Sequence, residues 1–443
     1  MSLRPRAAAA AILRAALRAA DPGRAVRKHL RADGLGFSLA GERLRVQGRV
    51  VLLAVGKAAP AMAEAASDIL GPRLEAGLVV TNAGGGGRGR LRVLEAGHPL
   101  PDVRGLRAAA EVEGLLQGLG KDDLVLLLLS GGASALLPAP AEGVSLRDKA
   151  RTTALLMKAG ATIHELNVVR KHLSRFKGGG LARLASPARV RALVLSDVVG
   201  DDLSTIASGP VSPDPSRFED ALAVLESRGV LGRVPAATQS RLRAGARGRV
   251  PETPKPGDAL FRRVKALVVG SNRLSLEAAA REARRQGFPP LVLTSRLEGE
   301  SREVARTLVA ILRECVDSGR PATPPVCLLA GGETTVTVRG RGQGGRNQEM
   351  AVAAAPLLAA FPGDALFASL ATDGIDGRSD AAGGVVDRRT AARALSLGLA
   401  SPADFLARSD SRSFLGPVGG LILTGPTGTN VMDLTVLLAS KRG

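Results

Sequence analysis

The segment of residues 326–349 constrains the fold of this chain more than any other part of the sequence. Its first five residues, Val326–Ala330, are all apolar or small and predict a buried strand. Two glycines break this strand directly before Glu333. Residues 334–338 then alternate Thr and Val, which predicts a second strand with one face exposed to solvent.

The loop that follows, residues 339–345, is rich in glycine. Gly342, Gly344 and Gly345 give this loop a flexible backbone whose N–H groups can gather around an anion. Arg346 comes next, directly before a predicted helix. Its planar guanidinium group is suited to phosphate or carboxylate. The segment therefore predicts a phosphate-binding loop.

The same loop also matches the pattern G-x-G-x-x-G of dinucleotide-binding proteins, at Gly340, Gly342 and Gly345. That pattern requires a continuous buried strand before its first glycine, whereas residues 334–338 alternate. It also requires an acidic residue at a strand end about twenty residues further on, and the sequence offers none there. The match is therefore weak, and a glycine-rich turn without a ligand is the other alternative.

Length and composition favour a globular protein of two domains. The chain has 443 residues, of which 45% are hydrophobic. Its formal charge is +20, but aromatic residues make up only 2%, so the base-stacking surfaces of nucleic-acid-binding proteins are nearly missing. Glycine and proline interrupt both long uncharged runs, so neither predicts a membrane span. We expect a cytoplasmic protein that attracts anionic metabolites and has neither a nucleic acid nor a membrane as a partner.

The cysteine and histidine residues predict neither a disulfide framework nor a metal site. Cys315 and Cys327 lie in a helical and an apolar strand pattern, so we expect buried, reduced thiols. His164 and His172 are eight residues apart on a predicted helix and lack the spacing of metal ligands. We expect both on the surface of that helix.

Two strand ends in the N-terminal half are suited to anions. The predicted strand Val50–Val55 leads to Lys57 at the start of a helix, although a surface lysine at a turn is the alternative. The apolar strand Leu124–Leu129 is followed by small residues that let phosphates approach backbone N–H groups. These small residues include Ser130, Gly131, Gly132 and Ser134.

Acidic residues follow two other predicted strands. Asp197 comes after the strand Val190–Leu195, and Asp373 comes after the strand Ala365–Ala371. Enzymes of the α/β class hold metal ligands and bases at the carboxyl ends of strands. We therefore treat both aspartates as candidate functional residues.

A segment rich in proline, glycine and charge, residues 247–257, is the best candidate for a linker. It predicts an N-terminal domain over residues 1–250 and a C-terminal domain over residues 260–443. The last segment, about 415–443, could pack back on the N-terminal domain. Strands and helices alternate in both halves, so we predict two α/β domains, the first of them Rossmann-like.

These motifs together resemble the two-domain glycerate 2-kinases, whose C-terminal half is called the MOFRL domain. The resemblance spans nearly the whole chain, in the same order. It implies transfer of the γ-phosphoryl group of ATP to D-glycerate, most simply giving 2-phosphoglycerate, with Mg²⁺ and an active site in the cleft between the two domains. It is also compatible with a monomer or a homodimer. The motifs that carry it are Val55–Ala58, Gly97–Pro99, Ser130–Ser134, Lys177–Gly179, Ser196–Asp201, Ser208–Pro210, Gly331–Thr334, Gly344–Glu349, Thr372–Gly374, Asp376–Gly377 and Gly428–Asn430.

The resemblance also implies roles for single residues. Lys57 and Arg346 would neutralise phosphate or hold the carboxylate of glycerate. Asp197 and Asp373 would supply the base and the metal ligand, and which residue does which stays open. Glu333 and Asn430 would complete the shell of metal and substrate. The phosphates of ATP would bind to two loops, through Ser130, Gly131, Gly132 and Ser134 and through Gly342, Gly344 and Gly345.

Two other classes of protein stay open at this point. An NAD(P)H-dependent hydroxypyruvate reductase would act on a neighbouring metabolite, and the glycine pattern suggests it. An arginine-rich protein that binds anions or nucleic acid would explain the charge of +20. The second alternative would leave the acidic residues at the strand ends without a purpose.

Overall fold

The structure, a computed structural model, describes residues 5–33, 36–82 and 89–440. The chain divides into two compact units. The first unit comprises Pro22–Val269, and the second comprises Gly270–Gly443 together with the N-terminal segment Met1–Asp21.

The elements are numbered here in chain order. The α-helices are α1 (Pro5–Ala19), α2 (Pro22–His29), α3 (Ala59–Leu70), α4 (Val103–Leu116), α5 (Ala133–Leu136), α6 (Leu146–Lys158), α7 (Ile163–His172), α8 (Gly180–Ala185), α9 (Phe218–Ser227), α10 (Ala236–Ala246), α11 (Asn272–Arg285), α12 (Ser301–Ser318), α13 (Arg346–Leu358), α14 (Thr390–Ser396), α15 (Pro402–Ala407) and α16 (Ser411–Leu415). The strands are β1 (Leu30–Asp33), β2 (Gly36–Leu39), β3 (Glu42–Leu44), β4 (Val50–Val55), β5 (Leu74–Thr81), β6 (Leu91–Glu95), β7 (Leu124–Leu129), β8 (Arg189–Leu195), β9 (Val264–Gly270), β10 (Pro290–Leu297), β11 (Val326–Gly332), β12 (Ala365–Ala371), β13 (Gly383–Asp387), β14 (Leu421–Ile422) and β15 (Asp433–Ala439).

The main sheet of the first unit has the strand order β6-β5-β4-β7-β8-β9. The pairs β6–β5, β5–β4, β4–β7 and β7–β8 are parallel. Counted from β4, the order is 3-2-1-4-5-6, which is the order of doubly wound sheets that bind dinucleotides. Such sheets bind ligands where the order reverses, outside the carboxyl ends of the two central strands. In this unit those strands are β4 and β7.

The sequence explains why β4 and β7 occupy the centre of this sheet. Both are unbroken apolar runs, and every residue of both is buried. Strands of this kind need helices on both faces, which a parallel sheet with helical connections provides. Helix α4, which follows β6, starts where the Asp102 carboxylate accepts hydrogen bonds from the N–H groups of Arg104 and Gly105, at 3.0 and 3.2 Å. Aspartate is one of the residues favoured at a helix N-cap, because its carboxylate accepts hydrogen bonds from backbone N–H groups of the first turn.

The main sheet of the second unit has the order β10-β11-β15-β12-β13-β14 and mixes both pairing directions. Strands β10 and β11 are parallel, whereas β15 is antiparallel to both β11 and β12. Helices α1 and α11 pack on one face of the sheet through residues such as Ile12 and Leu276. Residues of α12 and α13, such as Leu312 and Val352, belong to the core on the other face. Both units are thus α/β, the fold class that the sequence predicts.

The extent of the two units differs from the predicted boundaries at both ends of the chain. Residues 5–19 form α1, whose apolar face is buried in the core of the second unit, because Ile12 and Ala16 fit against α11. The last strand, β15, lies in the middle of the sheet of the second unit and not on the first. All seven of its residues are buried, because β11 and β12 pair with its two edges and helices cover both faces of the sheet.

The predicted strand over residues 334–338 is wrong. The backbone of this segment bonds instead to the turn before α12. Thr335 accepts a hydrogen bond from the N–H group of Ser301 and donates one to Gly299, both at 2.8 Å. Thr337 donates its N–H group to the carboxylate of Glu300 at 3.1 Å. Alternation of Thr and Val makes a strand only where a neighbouring strand supplies a ladder, and a short turn cannot do so.

The predictions for cysteine and histidine have mixed outcomes. Cys315 and Cys327 are free, buried thiols, as predicted. His164 is exposed, but the prediction that His172 lies on the surface is wrong, because only 1% of it is exposed. A segment distant in sequence covers it, and its Nε2 lies 3.3 Å from the Glu252 carboxylate. Within the described part of the chain, no helix combines the length and apolar character that a membrane crossing requires.

Candidate active site

The loops after β4 and β7 interlock at the point where the strand order of the first unit reverses. The N–H group of Lys57 donates to the carbonyl oxygen of Gly131 at 2.9 Å. The N–H group of Ala58 donates to Ser130 Oγ at 3.1 Å. These bonds hold the two predicted anion-binding segments of the first unit side by side, at the carboxyl ends of the central strands.

Two glycines make this close approach possible. Gly56 has a φ of +132°, and a Cβ atom there would collide with Ser130. A Cβ atom at Gly131 would collide with the carboxylate of Asp197, which follows β8. Three adjacent strands therefore bring a lysine, a glycine-rich loop and a carboxylate together. The structure thus groups Lys57, Ser130, Gly131, Gly132 and Asp197, all of which the sequence singled out.

His98 belongs to the same region and was not predicted as a site residue. A Cβ atom at Gly132, where φ is +87°, would lie 2.9 Å from His98 Cδ2 and 3.5 Å from Lys57 Cγ. Burial, and next the charge of Lys57, lower the pKa of His98 below its ordinary value. The side chain is therefore a neutral imidazole at neutral pH. The sequence did contain a signal for His98, because this residue comes shortly after β6. The carboxyl end of β6 lies at the same edge of the sheet as those of β4 and β7.

Ser134 lies in the short helix α5, directly after this loop, and is half-buried. Its hydroxyl group contacts the amine of Lys177. Lys177 is buried and was noted in the sequence only as part of a motif. The sequence could not identify Lys177 as a site residue, because a lysine followed by glycines indicates no particular partner.

In the second unit, Arg346 is the first residue of α13 and lies between two carboxylates. Its Nε and Nη2 donate to Asp433 at 2.5 and 3.0 Å, and its Nη1 donates to Glu333 Oε1 at 2.8 Å. A guanidinium group has five N–H bonds, and these contacts use three of them. Two N–H bonds stay available to a ligand. Arg346 is therefore a bridge between carboxylates as well as a candidate anion-binding group.

Asp433 is the main residue of this site that the sequence analysis missed. It starts β15 and pairs with Gly332 on β11 and with Ala371 on β12, so it lies between the ends of those two strands. Burial raises its pKa from 3.8 to about 6, although Arg346 favours the charged form. An acidic residue directly before an apolar strand was a visible signal, but nothing local indicated its partner.

The N-terminus of α13 is occupied by a side chain of the protein. The carboxylate of Asp376 accepts hydrogen bonds from the N–H groups of Asn347 and Gln348, at 3.1 and 2.8 Å. Asp376 is buried, and burial raises its pKa. These two N–H groups therefore bind an internal carboxylate of the protein.

The glycine-rich loop before α13 packs against the segment of residues 408–411. Gly342 donates its N–H group to the carbonyl oxygen of Arg408 at 3.3 Å. A Cβ atom at Gly344 would collide with Ser411, and one at Gly345 would collide with Asp376. Close packing thus accounts for these glycines, and their predicted contact with ATP stays a prediction.

Asp373 and Asn430 lie at the same edge of the sheet as Asp433. Asp373 follows β12, and its Oδ1 accepts the N–H group of Ile375 at 3.1 Å. Its carbonyl oxygen accepts the N–H group of Thr427 at 3.1 Å, which ties it to the loop that contains Asn430. The half-buried Asp373 carboxylate and the exposed Glu333 carboxylate leave this edge with a surplus of acidic groups. Arg346 is thus the basic group among three carboxylates here, those of Glu333, Asp373 and Asp433.

The arrangement excludes a dinucleotide fingerprint at the predicted position. The fingerprint joins a strand to a helix through one tight glycine turn. In the second unit, β11 ends at Gly332 and α13 begins only at Arg346. In the first unit, the loop after β4 has Gly56 followed by Lys57, without the other glycines of the pattern. Neither loop therefore has the glycine fingerprint of a Rossmann-type dinucleotide site.

These features define a class: a two-domain α/β protein with polar and charged groups gathered at the carboxyl ends of its strands. Residues 8–243 match a domain of unknown function (DUF4147), and residues 326–433 match the MOFRL family. The glycerate 2-kinase of Pyrococcus horikoshii is 43% identical over 97% of this chain and 96% of that protein. The chain belongs to the two-domain glycerate 2-kinase family.

A solved structure and a further relative extend this comparison. The crystal structure of glycerate kinase from Thermotoga maritima matches with a TM-score of 0.88 and 41% identity, over 98% of both chains. A protein of Agrobacterium vitis that carries the provisional name hydroxypyruvate reductase is 42% identical over 89% of this chain and 88% of its own. Relatives of similar identity thus bear the names of both enzyme classes that the sequence left open.

Substitution of Asp433 by Asn tests the electrostatics of the second unit. Because the pKa of Asp433 is raised, the folded protein binds its proton more tightly than the unfolded chain does. This contribution to the unfolding free energy is fully present below about pH 4 and is lost as the pH rises through about 6. Compared with the Asp433→Asn variant, the wild type should lose up to about 3 kcal/mol of its unfolding free energy as the pH rises from 4 to 7.

Urea unfolding of both proteins at a series of pH values measures this difference. Other groups with raised pKa values, such as Asp376, are present in both proteins, so their contributions to the unfolding free energy cancel in the difference. A difference that stays constant with pH, or that changes in the opposite direction, would show that the pair with Arg346 keeps the carboxylate charged throughout.

Proposed function

We propose that this protein is an ATP-dependent D-glycerate 2-kinase that forms 2-phosphoglycerate and ADP. The observation that carries the proposal is the convergence of Lys57, Gly131 and Asp197 at the reversal of strand order in the first unit. Membership of the glycerate 2-kinase family supports it. Phosphoryl transfer needs positioning and neutralisation of charge more than covalent chemistry, and this site offers both.

In this proposal the first unit binds phosphate and handles the proton of the substrate hydroxyl group. Lys57 neutralises a phosphate oxygen, and the loop Ser130–Ser134 lies against the phosphates. Asp197 is half-buried and next to that loop, so it can orient the hydroxyl group of glycerate and accept its proton. The neutral His98 is a second acceptor at the same place.

The second unit contributes charge and hydrogen bonds in this proposal. The two N–H bonds of Arg346 that are not used internally bind a phosphate or the glycerate carboxylate. Asn430 offers an amide group to the same substrate. Glu333 helps to hold Arg346 in place.

Mg²⁺ is part of the proposal, and the donor set is compatible with it. Within the described residues, no group of three or more His, Cys, Asp or Glu side chains could hold a metal ion. Mg²⁺ bound with ATP usually needs only one or two carboxylates, because phosphates and water complete its shell. Asp373 and Asp197 are the candidates to hold it. When bound, the ion neutralises charge on the β- and γ-phosphates.

A hydroxypyruvate reductase is the second candidate function, since a relative bears that name. It requires a site for NADH or NADPH. The loop after β4, the position where a doubly wound sheet places its glycine fingerprint, has Lys57 and a single glycine. The kinase is therefore the better supported function.

A product assay with the purified protein tests this ranking. With D-glycerate and MgATP we expect ADP and 2-phosphoglycerate in equal amounts, identified by chromatography against both phosphoglycerate isomers. With hydroxypyruvate and NADH or NADPH we expect no oxidation of the nucleotide. Reductase turnover without ADP formation would reverse the ranking of the two functions.

Substitution of Lys57 or Arg346 by Ala should lower kcat/KM by about 10²-fold or more while the protein stays folded. This is the magnitude for loss of one preorganised charge contact in a transition state. The family resemblance implies that both residues serve one substrate, so the double variant should lose less than the product of the two effects. Arg346→Lys should also have a low kcat/KM, because lysine lacks the planar guanidinium group that can bond Asp433 and a ligand at the same time.

Steady-state kinetics and circular dichroism of the four variants provide the measurement. Normal kinetics in both single Ala variants would show that Lys57 and Arg346 are ordinary residues at turns and take no part in the reaction.

Substitution of Gly131 by Ala should lower turnover by about 10²-fold through displacement of the Asp197 carboxylate, because a small misplacement of a reacting group has this cost. Backbone strain at Gly131 does not arise, and the colliding atoms belong to a side chain that can rotate. The thermal midpoint should therefore change little.

Gly114→Ala is the matched control. Gly114 lies inside α4, and a Cβ atom there meets nothing within 4 Å. We expect unchanged kinetics and a slight gain in stability, since alanine favours the helix. Full activity of Gly131→Ala would mean that the position of Asp197 does not matter for the reaction.

A further inference from the structure

Lys177 is a buried lysine whose described hydrogen-bond partners are all neutral. Only 5% of the residue is exposed. Its Nζ contacts the hydroxyl and carbonyl oxygens of Ser134, the carbonyl at 3.4 Å, and the carbonyl oxygen of Ala207 at 3.3 Å. Burial, and next the charges of Lys149 and Arg170, lower its pKa well below the ordinary value. Buried amines normally face a carboxylate, so this arrangement requires a specific reason.

The three partners orient the amine towards Ser134. Carbonyl oxygens only accept hydrogen bonds, so the two carbonyl groups each take one N–H of Lys177. The third N–H bond of the protonated amine then points to the hydroxyl group of Ser134. When Lys177 is protonated, it donates to Ser134 Oγ, and the hydroxyl hydrogen of Ser134 is then free to point elsewhere.

The other neighbour of Ser134 does not compete strongly for that hydrogen. Ser208 donates its own hydroxyl hydrogen to Asn167 Oδ1 at 2.9 Å. Its Oγ lies 3.5 Å from Ser134 Oγ, which is long for a hydrogen bond between hydroxyl groups. The hydroxyl hydrogen of Ser134 is therefore available to a stronger acceptor.

Backbone strain at the adjacent turn supports a specific role for this network. Ala207 and Ser208 have φ values of 52° and 62°, in the left-handed region that residues other than glycine rarely adopt. This conformation presents the Ala207 carbonyl to Lys177 and the Ser208 hydroxyl to Ser134. Strained residues of this kind persist where the surroundings hold them, often at functional sites.

The network has a buried end and a half-buried end. Lys177, Ser208 and Asn167 are buried, whereas Ser134 is half-buried. Ser134 follows the loop of β7 that interlocks with the loop of β4. The half-buried Ser134 therefore lies next to the point where a doubly wound sheet binds its ligand.

We propose that Lys177 is a positioning residue that directs the hydroxyl hydrogen of Ser134 to an anionic oxygen of a phosphoryl or carboxylate group bound beside the loop Ser130–Ser134. An anion bound to Ser134 stabilises the protonated amine, so the cost of burying its charge is offset when the ligand is present. The identity of the anion rests on the proposed function, in which it is a phosphate of ATP or the carboxylate of glycerate.

Kinetics of Ser134→Ala, Lys177→Met and the double variant test the inference. Each single variant should lower kcat/KM by about 10- to 100-fold, the effect of one hydrogen bond to a charged group. Because Lys177 acts through Ser134, the double variant should be no worse than the poorer single variant. Ser134→Thr keeps a hydroxyl group and should recover most of the activity. Separate KM values for MgATP and for D-glycerate show which anion is bound.

Lys149→Met is the matched control. Lys149 is also a buried lysine, and its Nζ donates to the Pro138 carbonyl oxygen at 2.6 Å. Its removal should change the thermal midpoint but should not lower kcat/KM, because loss of its charge favours the protonated form of Lys177. If Lys149→Met and Lys177→Met lower activity alike, or if the effects at Ser134 and Lys177 multiply independently, the role of Lys177 is structural and the inference is wrong.

Calorimetric titration with ATP and, separately, with D-glycerate distinguishes failure of the inference from failure of the proposed function. A wild-type protein without kinase activity would overturn the proposed function. Weaker binding of either ligand by Ser134→Ala and Lys177→Met would still support the anion site. Equal binding of both ligands by the wild type and these variants would overturn the inference, whatever the activity.

Discussion

Backbone contact between the ends of β4 and β7 is the constraint on which the candidate site of the first unit depends. The strand order reverses between these neighbours, and their loops interlock through the N–H group of Lys57 and the carbonyl oxygen of Gly131. Such closeness tolerates only glycine at Gly56, where a Cβ atom would collide with Ser130, whereas a Cβ atom at Gly131 would displace the Asp197 carboxylate. The structural role of these glycines is to let the strand ends approach. A lysine, a carboxylate and backbone donors then share one small region, which is the arrangement that phosphoryl transfer needs.

The second unit depends on charge more than on close backbone contact. Arg346 binds both Glu333 and Asp433, and the helix that begins at Arg346 is capped by the buried Asp376. Acidic groups therefore outnumber basic ones at this edge, although the chain as a whole carries a charge of +20. The two units thus offer different chemistry. The first offers a lysine and glycine-rich loops, whereas the edge of the second offers an arginine held among carboxylates.

Much of this fold and part of the site were predictable, because their signals are local. Apolar runs predicted β4, β7 and β11. Lys57 and Arg346 were identified because each follows glycine at the start of a helix. The failures have a common cause. Residues 334–338 alternate like a strand but lack a neighbouring strand, and His172 is polar but is covered by Glu252 from a distant segment. The sequence pattern of a segment indicates which secondary structure it can form, but it does not indicate which distant segments will pack against it.

The sequence by itself determined the α/β class, the main strands, the glycines at their ends and the family to which the chain belongs. These properties depend on periodicity and on residue types that are neighbours in the chain. Only the tertiary structure decided which groups face each other. Arg346 bonds to Asp433, 87 positions further on, and Lys177 bonds to Ser134, 43 positions earlier. Such partners are set by strand order and packing, because burial forces each polar group to find a partner wherever the fold places one.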